Sequence, residues 1–113
     1  MSLDATFAAL SDPTRRAVVE LLRREPRRAG ELSDALSMSP PAMSRHLRVL
    51  RESGLVEEER PVDDARVRVL RLRAEPFDEL RDWIEEVARF WSGQLASFKA
   101  HAEQTRARPR RRR

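Results

Sequence analysis

Between Ala29 and Val56 the sequence admits little besides two short helices joined by a three-residue turn. Leu32, Ala35 and Leu36 repeat at helical spacing, and Met43, Leu47 and Leu50 do so again at i, i+4 and i+7. Ser37-Met38-Ser39 separates the two patterns. Ser39 suits an N-cap, and Pro40-Pro41 fit the first turn of a helix, where an absent N–H costs nothing. Deeper in a helix they would break it. Gly54 is placed to close the second helix just after Ser53.

The flanks extend this pattern. Leu3, Phe7 and Leu10 predict an opening helix. Ser11-Asp12-Pro13 stops it and starts another, with Ser11 or Asp12 as cap and Pro13 in the first position. That second helix runs to about Arg24, turns Val18, Leu21 and Leu22 inward, and ends at Glu25-Pro26. After Gly54 the period changes to two. Leu55-Val56 and Val67, Val69, Leu70, Leu72 read as two strands joined near Pro61–Ala65, and the phase slip between Val69 and Leu70 predicts a bulge. Glu75-Pro76 ends this region. From Phe77 to about Gln104, Leu80, Trp83, Ile84, Val87, Trp91, Leu95 and Phe98 recur in steps of three and four, the mark of one long helix. The expected architecture is mainly α with a small β-hairpin, in the order α-α-α-α-β-β-α.

A chain of 113 residues with 40% hydrophobic residues can form one small core. We expect one domain over 1–104 and a disordered Arg-rich tail over 105–113. The net charge of +4 hides an uneven distribution. Residues 1–73 hold 14 arginines against 12 acids, residues 74–104 hold three basic residues against seven acids, and residues 105–113 hold six arginines and no acid. The absence of cysteine removes disulfides, thiolate metal sites and thiol nucleophiles, and fits a reducing cytoplasm. No apolar run approaches the ~20 residues of a membrane span, and Met1–Leu10 lacks the basic-then-apolar pattern of a signal peptide. No nucleophile–base pair or Gly-rich phosphate loop argues for an enzyme. Glu57, Glu58 and Glu59 read as a charge run on an exposed strand.

Two short helices across a tight turn, followed by a hairpin, make a winged helix-turn-helix. In that motif the second helix enters the DNA major groove, leading with its N-terminal residues. With Met43, Leu47 and Leu50 turned inward, the outer faces carry Pro41, Ser44, Arg45, Arg48, Arg51 and Glu52. Arg45 is the candidate for bidentate recognition of a guanine edge. Ser39, Ser44 and Arg48 suit phosphate oxygens or a neighbouring base. His46 adjoins Leu47 and is read as a half-buried residue that fixes the helix, with a phosphate contact besides. Arg66 and Arg68 follow the hairpin tip, where a wing lies on the backbone or in the minor groove, while Asp63-Asp64 turn away. A helix with three arginines is otherwise an ordinary solvated face. Two other readings compete: a non-specific nucleic-acid binder using the Arg tail, and a winged helix that docks a protein through its acidic last helix.

The stretches ALSDPTRRAVVELL, GELSDALSMSPPAMSRHLRVLRESGLVEEER and RVRVLRL together resemble the ArsR/SmtB family of bacterial winged-helix repressors, and SRHLRVLRESGLV is the most specific piece. The resemblance implies a repressor that binds double-stranded DNA as a homodimer through its first and last helices. Physical reasoning agrees, since so small a domain cannot absorb all the large apolar groups of the last helix. Leu80 and Ile84 suit an intrachain core. Val87, Trp91, Leu95 and Phe98, with Leu3, Phe7 and Leu10, are the expected dimer contacts. A two-fold dimer sets its recognition helices ~34 Å apart, matched to an inverted repeat.

The chain departs from the family's metal sensors. Where one metal site has a Cys-x-Cys-type motif, Arg28-Ala29-Gly30-Glu31-Leu32 offers no thiol. Where another pairs carboxylates with two histidines, the last helix has only one histidine, His101, followed by Glu103. We expect no metal and no cofactor. A small-molecule effector stays open. Trp83, Phe90 and Trp91 could line an apolar pocket for one, although packing alone accounts for them.

Overall fold

A computed structural model describes residues 2–107. The elements are α1 (Leu3–Leu10), α2 (Pro13–Leu22), β1 (Arg27–Arg28), α3 (Ala29–Ala35), α4 (Pro40–Glu52), β2 (Val56–Glu59), β3 (Val69–Leu72) and α5 (Ala74–Ala107). The chain divides into two compact units, one reaching Leu80 and one beginning at Arg81.

Local chemistry sets the helix starts. Ser2 Oγ accepts from Ala5 N at 3.0 Å. Asp12 Oδ1 accepts from Thr14 N at 2.8 Å and Arg15 N at 3.1 Å, so Asp12, not Ser11, caps α2. Ser39 Oγ accepts from Ala42 N at 3.3 Å ahead of Pro40 and Pro41. The turn between α3 and α4 closes with Ser37 at φ +50°, and Met38 N donates to Ser33 O at 2.9 Å. Gly54, at φ +80°, ends α4 where a side chain would strain the backbone.

The core of the first unit is Ala9, Val18, Leu22, Leu32, Met43, Leu47, Leu50, Leu55, Val56 and Leu70. It draws on α1, α2, α3, α4 and the sheet, so the outer face of α4 is held from behind.

The structure corrects several expectations. The hairpin is part of a three-stranded antiparallel sheet ordered β1-β3-β2, giving α-α-β-α-α-β-β-α. Arg27 pairs with Leu70 and Arg28 with Val69, and two residues carry no periodicity by which sequence could find them. No bulge interrupts β3. Its register with β2 runs unbroken from Val56↔Leu72 to Glu59↔Val69. Val69 and Leu70 are apolar in succession because β3 is the central strand, with Leu70 fully buried and Val69 half-buried. The last helix starts at Ala74, so Pro76 lies in its first turn, where no N–H is needed. It also continues through Thr105–Ala107, which were expected in the tail. Residues 108–113 of that tail lie outside the described residues.

α1 buries Thr6 and Ala9, leaves Leu3 and Leu10 half-buried, and exposes Phe7. In the second unit every residue from Arg81 to Thr105 except Val87 and Ala102 is exposed. Trp91 and Phe98 are 57% and 72% exposed. The i, i+4 pairs Arg81–Glu85 and Lys99–Glu103 run along this helix. Among the described residues no helix is long and apolar enough to cross a membrane.

Candidate nucleic-acid interface

α4 presents most of the predicted residues on its outer side. Ser39, Pro41, Arg45 and Arg48 are exposed, and Ser44 is half-buried at the edge of this face. Among the described residues neither Arg45 nor Arg48 has a hydrogen-bond or ion-pair partner. Two cations are therefore held on a rigid helix with their donors unspent.

His46 turns another way. Its Nδ1 lies 3.4 Å from Arg15 Nη1 and 4.0 Å from Asp12 Oδ1, and its side chain is mostly buried. A guanidinium can only donate, so Nδ1 is the acceptor of this contact when the ring is neutral. Arg15 is itself fixed by donating Nε to Ala9 O at 2.7 Å. His46 thus ties α4 to the start of α2. The Asp12 carboxyl is held below its ordinary value, chiefly by accepting the Arg15 backbone N–H, with His46 and Arg15 adding attraction.

The wing joins this surface through a carboxylate that sequence reading placed wrongly. Glu58 is not part of an exposed charge run, because its side chain is only 8% exposed. Strand alternation accounts for this: Glu58 shares a face with buried Val56 and sits opposite Leu70. A carboxylate turned inward must be paired. Arg68 donates Nε to Glu58 Oε1 at 2.6 Å and Nη2 to Oε2 at 3.4 Å. Arg51, from the last turn of α4, donates to Oε2, and Arg60 Nη2 lies 3.7 Å from Oε1. The hydrogen bond from Arg68, then the charges of Arg68, Arg51 and Arg60, hold the Glu58 carboxyl below its ordinary 4.5 despite partial burial.

Arg68 also donates Nη1 to Ser44 Oγ at 3.3 Å, which brings two predicted residues together across 24 positions of sequence. Arg66 stands apart on the wing. Its side chain is 93% exposed and bonded to Asp64 Oδ1 through its backbone N (3.0 Å) and Nε (3.3 Å). Asp64 therefore turns back to position Arg66.

Glu58 makes a testable contribution to stability. Its folded carboxyl ionises below 4.5, so the stabilisation is complete above that pH and is lost as pH falls through the lower folded value. Glu58→Gln is expected to cost about 1–3 kcal/mol at pH 7 and to flatten the fall in melting temperature between pH 6 and 3. An equally steep acid limb in the variant would remove Glu58 from this role.

Among the described residues no group of three or more His, Cys, Asp and Glu side chains is placed to hold a metal ion. His101 and Glu103 are exposed on α5.

Comparisons with known proteins give the family. The family described as "Bacterial regulatory protein, arsR family" matches residues 12–58. HTH-type transcriptional regulator Rv2034 of Mycobacterium tuberculosis is 39% identical over 97 residues, 86% of this chain and 85% of that protein. Transcriptional repressor SdpR of Bacillus subtilis is 33% identical over 58 residues, 51% of this chain and 64% of that protein. The solved ArsR-like transcriptional regulator from Rhodococcus sp. RHA1 superposes with a TM-score of 0.73 at 30% identity, covering 88% of this chain and 92% of that one. A helix-turn-helix whose second helix offers unpaired arginines, a wing tied to that helix, and relatives matched along most of the chain lead to one conclusion: the protein belongs to the arsR family of bacterial regulatory proteins and is a DNA-binding transcriptional regulator with a winged helix-turn-helix.

Proposed function

We propose that the protein is a dimeric, cytoplasmic repressor that reads an inverted-repeat operator, its own promoter included. α4 lies in the major groove, led by Ser39, Pro41, Ser44 and Arg45. Arg48 and His46 Nε2 face phosphate, and Arg66 carries the wing along the backbone or minor groove. The observation that carries this reading is the pair Arg45 and Arg48, without partners among the described residues on the outer face of α4. Two unspent guanidiniums on a helix packed firmly from behind favour a polyanion with readable edges. The relative SdpR, named a transcriptional repressor, supports repression.

The test is fluorescence anisotropy on the chain's own upstream DNA and on a scrambled duplex, at two salt concentrations. Tight binding to the upstream DNA with two chains per site is expected. Equal, steeply salt-dependent binding to both duplexes would reduce the activity to phosphate contact.

Dimerisation through α1 and α5 is supported by the exposed apolar side chains Phe7, Trp91, Leu95 and Phe98 and by half-buried Val87, Leu3 and Leu10. Leu95→Glu keeps a good helix former and places a charge in the proposed interface twice. It is expected to raise the dimer dissociation constant by about 100-fold or more, measured by sedimentation equilibrium. An unchanged constant would move the interface elsewhere.

A further inference from the structure

We infer that Ser44 determines specificity as a hydrogen-bond donor, biased to that role by Arg68 and by Glu58 behind it. The inference rests on the DNA reading proposed above and concerns which base edges α4 accepts. A serine hydroxyl is ordinarily indifferent, able to donate or accept. Here one of its two oxygen lone pairs is taken and a cation lies beside it. Arg68 has donors only, and its Nη1 lies 3.3 Å from Ser44 Oγ, so the oxygen accepts. Among the described residues the hydroxyl has no other partner, so its hydrogen remains to be offered outward.

Arg68 cannot easily swing aside to release the oxygen. Its Nε and Nη2 form a fork on the two oxygens of Glu58, at 2.6 Å and 3.4 Å, which leaves Nη1 as the edge that faces α4. Glu58 is held in turn from α4 by Arg51. The guanidinium beside Ser44 Oγ also repels an approaching amino group, such as cytosine N4, while an acceptor such as guanine O6, guanine N7 or thymine O4 is favoured. Ser44 is the fifth residue of α4, within the leading part of the helix that reaches base edges in this motif. Glu58 and Arg68 are therefore positioning residues, and Ser44 makes the contact.

The experiment is selection of binding sites from a randomised duplex library by the full-length wild-type protein and by the Ser44→Ala and Glu58→Gln variants, followed by sequencing. The expected wild-type result is an inverted repeat in which one position per half-site disfavours cytosine by about fivefold against guanine or thymine. Ser44→Ala flattens that position and leaves the others intact. Glu58→Gln flattens the same position although it is buried on the wing. Four outcomes overturn the inference. A Ser44→Ala matrix identical to wild type removes the contact, and one lowered uniformly in affinity reassigns Ser44 to phosphate. A Glu58→Gln matrix that keeps the position removes the positioning. A wild-type chain that enriches no sequence sinks the DNA reading and this inference with it, and is told apart by its wild-type arm.

Discussion

Replacing Leu47 with alanine is expected to cost about 3 kcal/mol of folding stability, within a range of about 2–5 for such truncations. Leu47 is fully buried in the middle of α4, in the core formed with Val18, Leu32, Met43, Leu50, Leu55 and Leu70. Four helices and the sheet converge on that core, so the space left by the lost carbons cannot close by moving one of them. Small domains have a net stability of about 5–15 kcal/mol, so the loss is a large share of the total. In a unit of this size it corresponds to a fall in melting temperature on the order of 15 °C. Urea unfolding at fixed protein concentration, with an unchanged slope against denaturant, is the proper measurement, because dimerisation would otherwise mix into the result. A loss below about 1 kcal/mol would mean that α4 is not anchored as described.

The second large effect is on binding. Arg45→Ala is expected to weaken operator binding by about 1–3 kcal/mol, roughly 5- to 150-fold, and to relax specificity at one position of each half-site. Arg45 is exposed and has no partner among the described residues, so its removal strands no buried group and leaves the fold undisturbed. The loss therefore reports the DNA contact alone. Arg48→Ala, in contrast, should lower affinity for operator and scrambled duplex alike and reduce the salt slope by about one. Equal weakening of both duplexes by Arg45→Ala would reassign that arginine to phosphate.

Glu58 shows how far the candidate site was legible in the sequence. As one of three consecutive glutamates it looks like solvated charge. Alternation from Val56 already places it on the inward face, and that signal was available. What one-dimensional reading could not supply was its partners. Arg51, Arg60 and Arg68 are a helix end, a loop and a strand approach, and they meet at one carboxylate only after the sheet packs against α4. Arg68 illustrates the same limit. Sequence placed it with the DNA-contacting wing, and folding directs three of its N–H donors to Glu58 and Ser44. His46 was read as a residue that fixes its helix, and folding supplied what it fixes the helix to, Arg15 and Asp12.

The sequence alone determined the helices, the turn between α3 and α4, the buried stripe Met43, Leu47, Leu50 and the exposed arginines of α4. These follow from interactions that span at most a few residues: capping, proline geometry and the periods of 3.6 and 2. Only the tertiary structure decided that β1 completes the sheet, that β3 runs without a bulge as its central strand, and that Glu58 links the wing to the recognition helix. Each of these depends on which distant backbone or charge arrives opposite. A two-residue strand or a lone carboxylate has no periodicity to announce its partner, and its energy is set by burial and pairing that exist only once the chain has closed on itself.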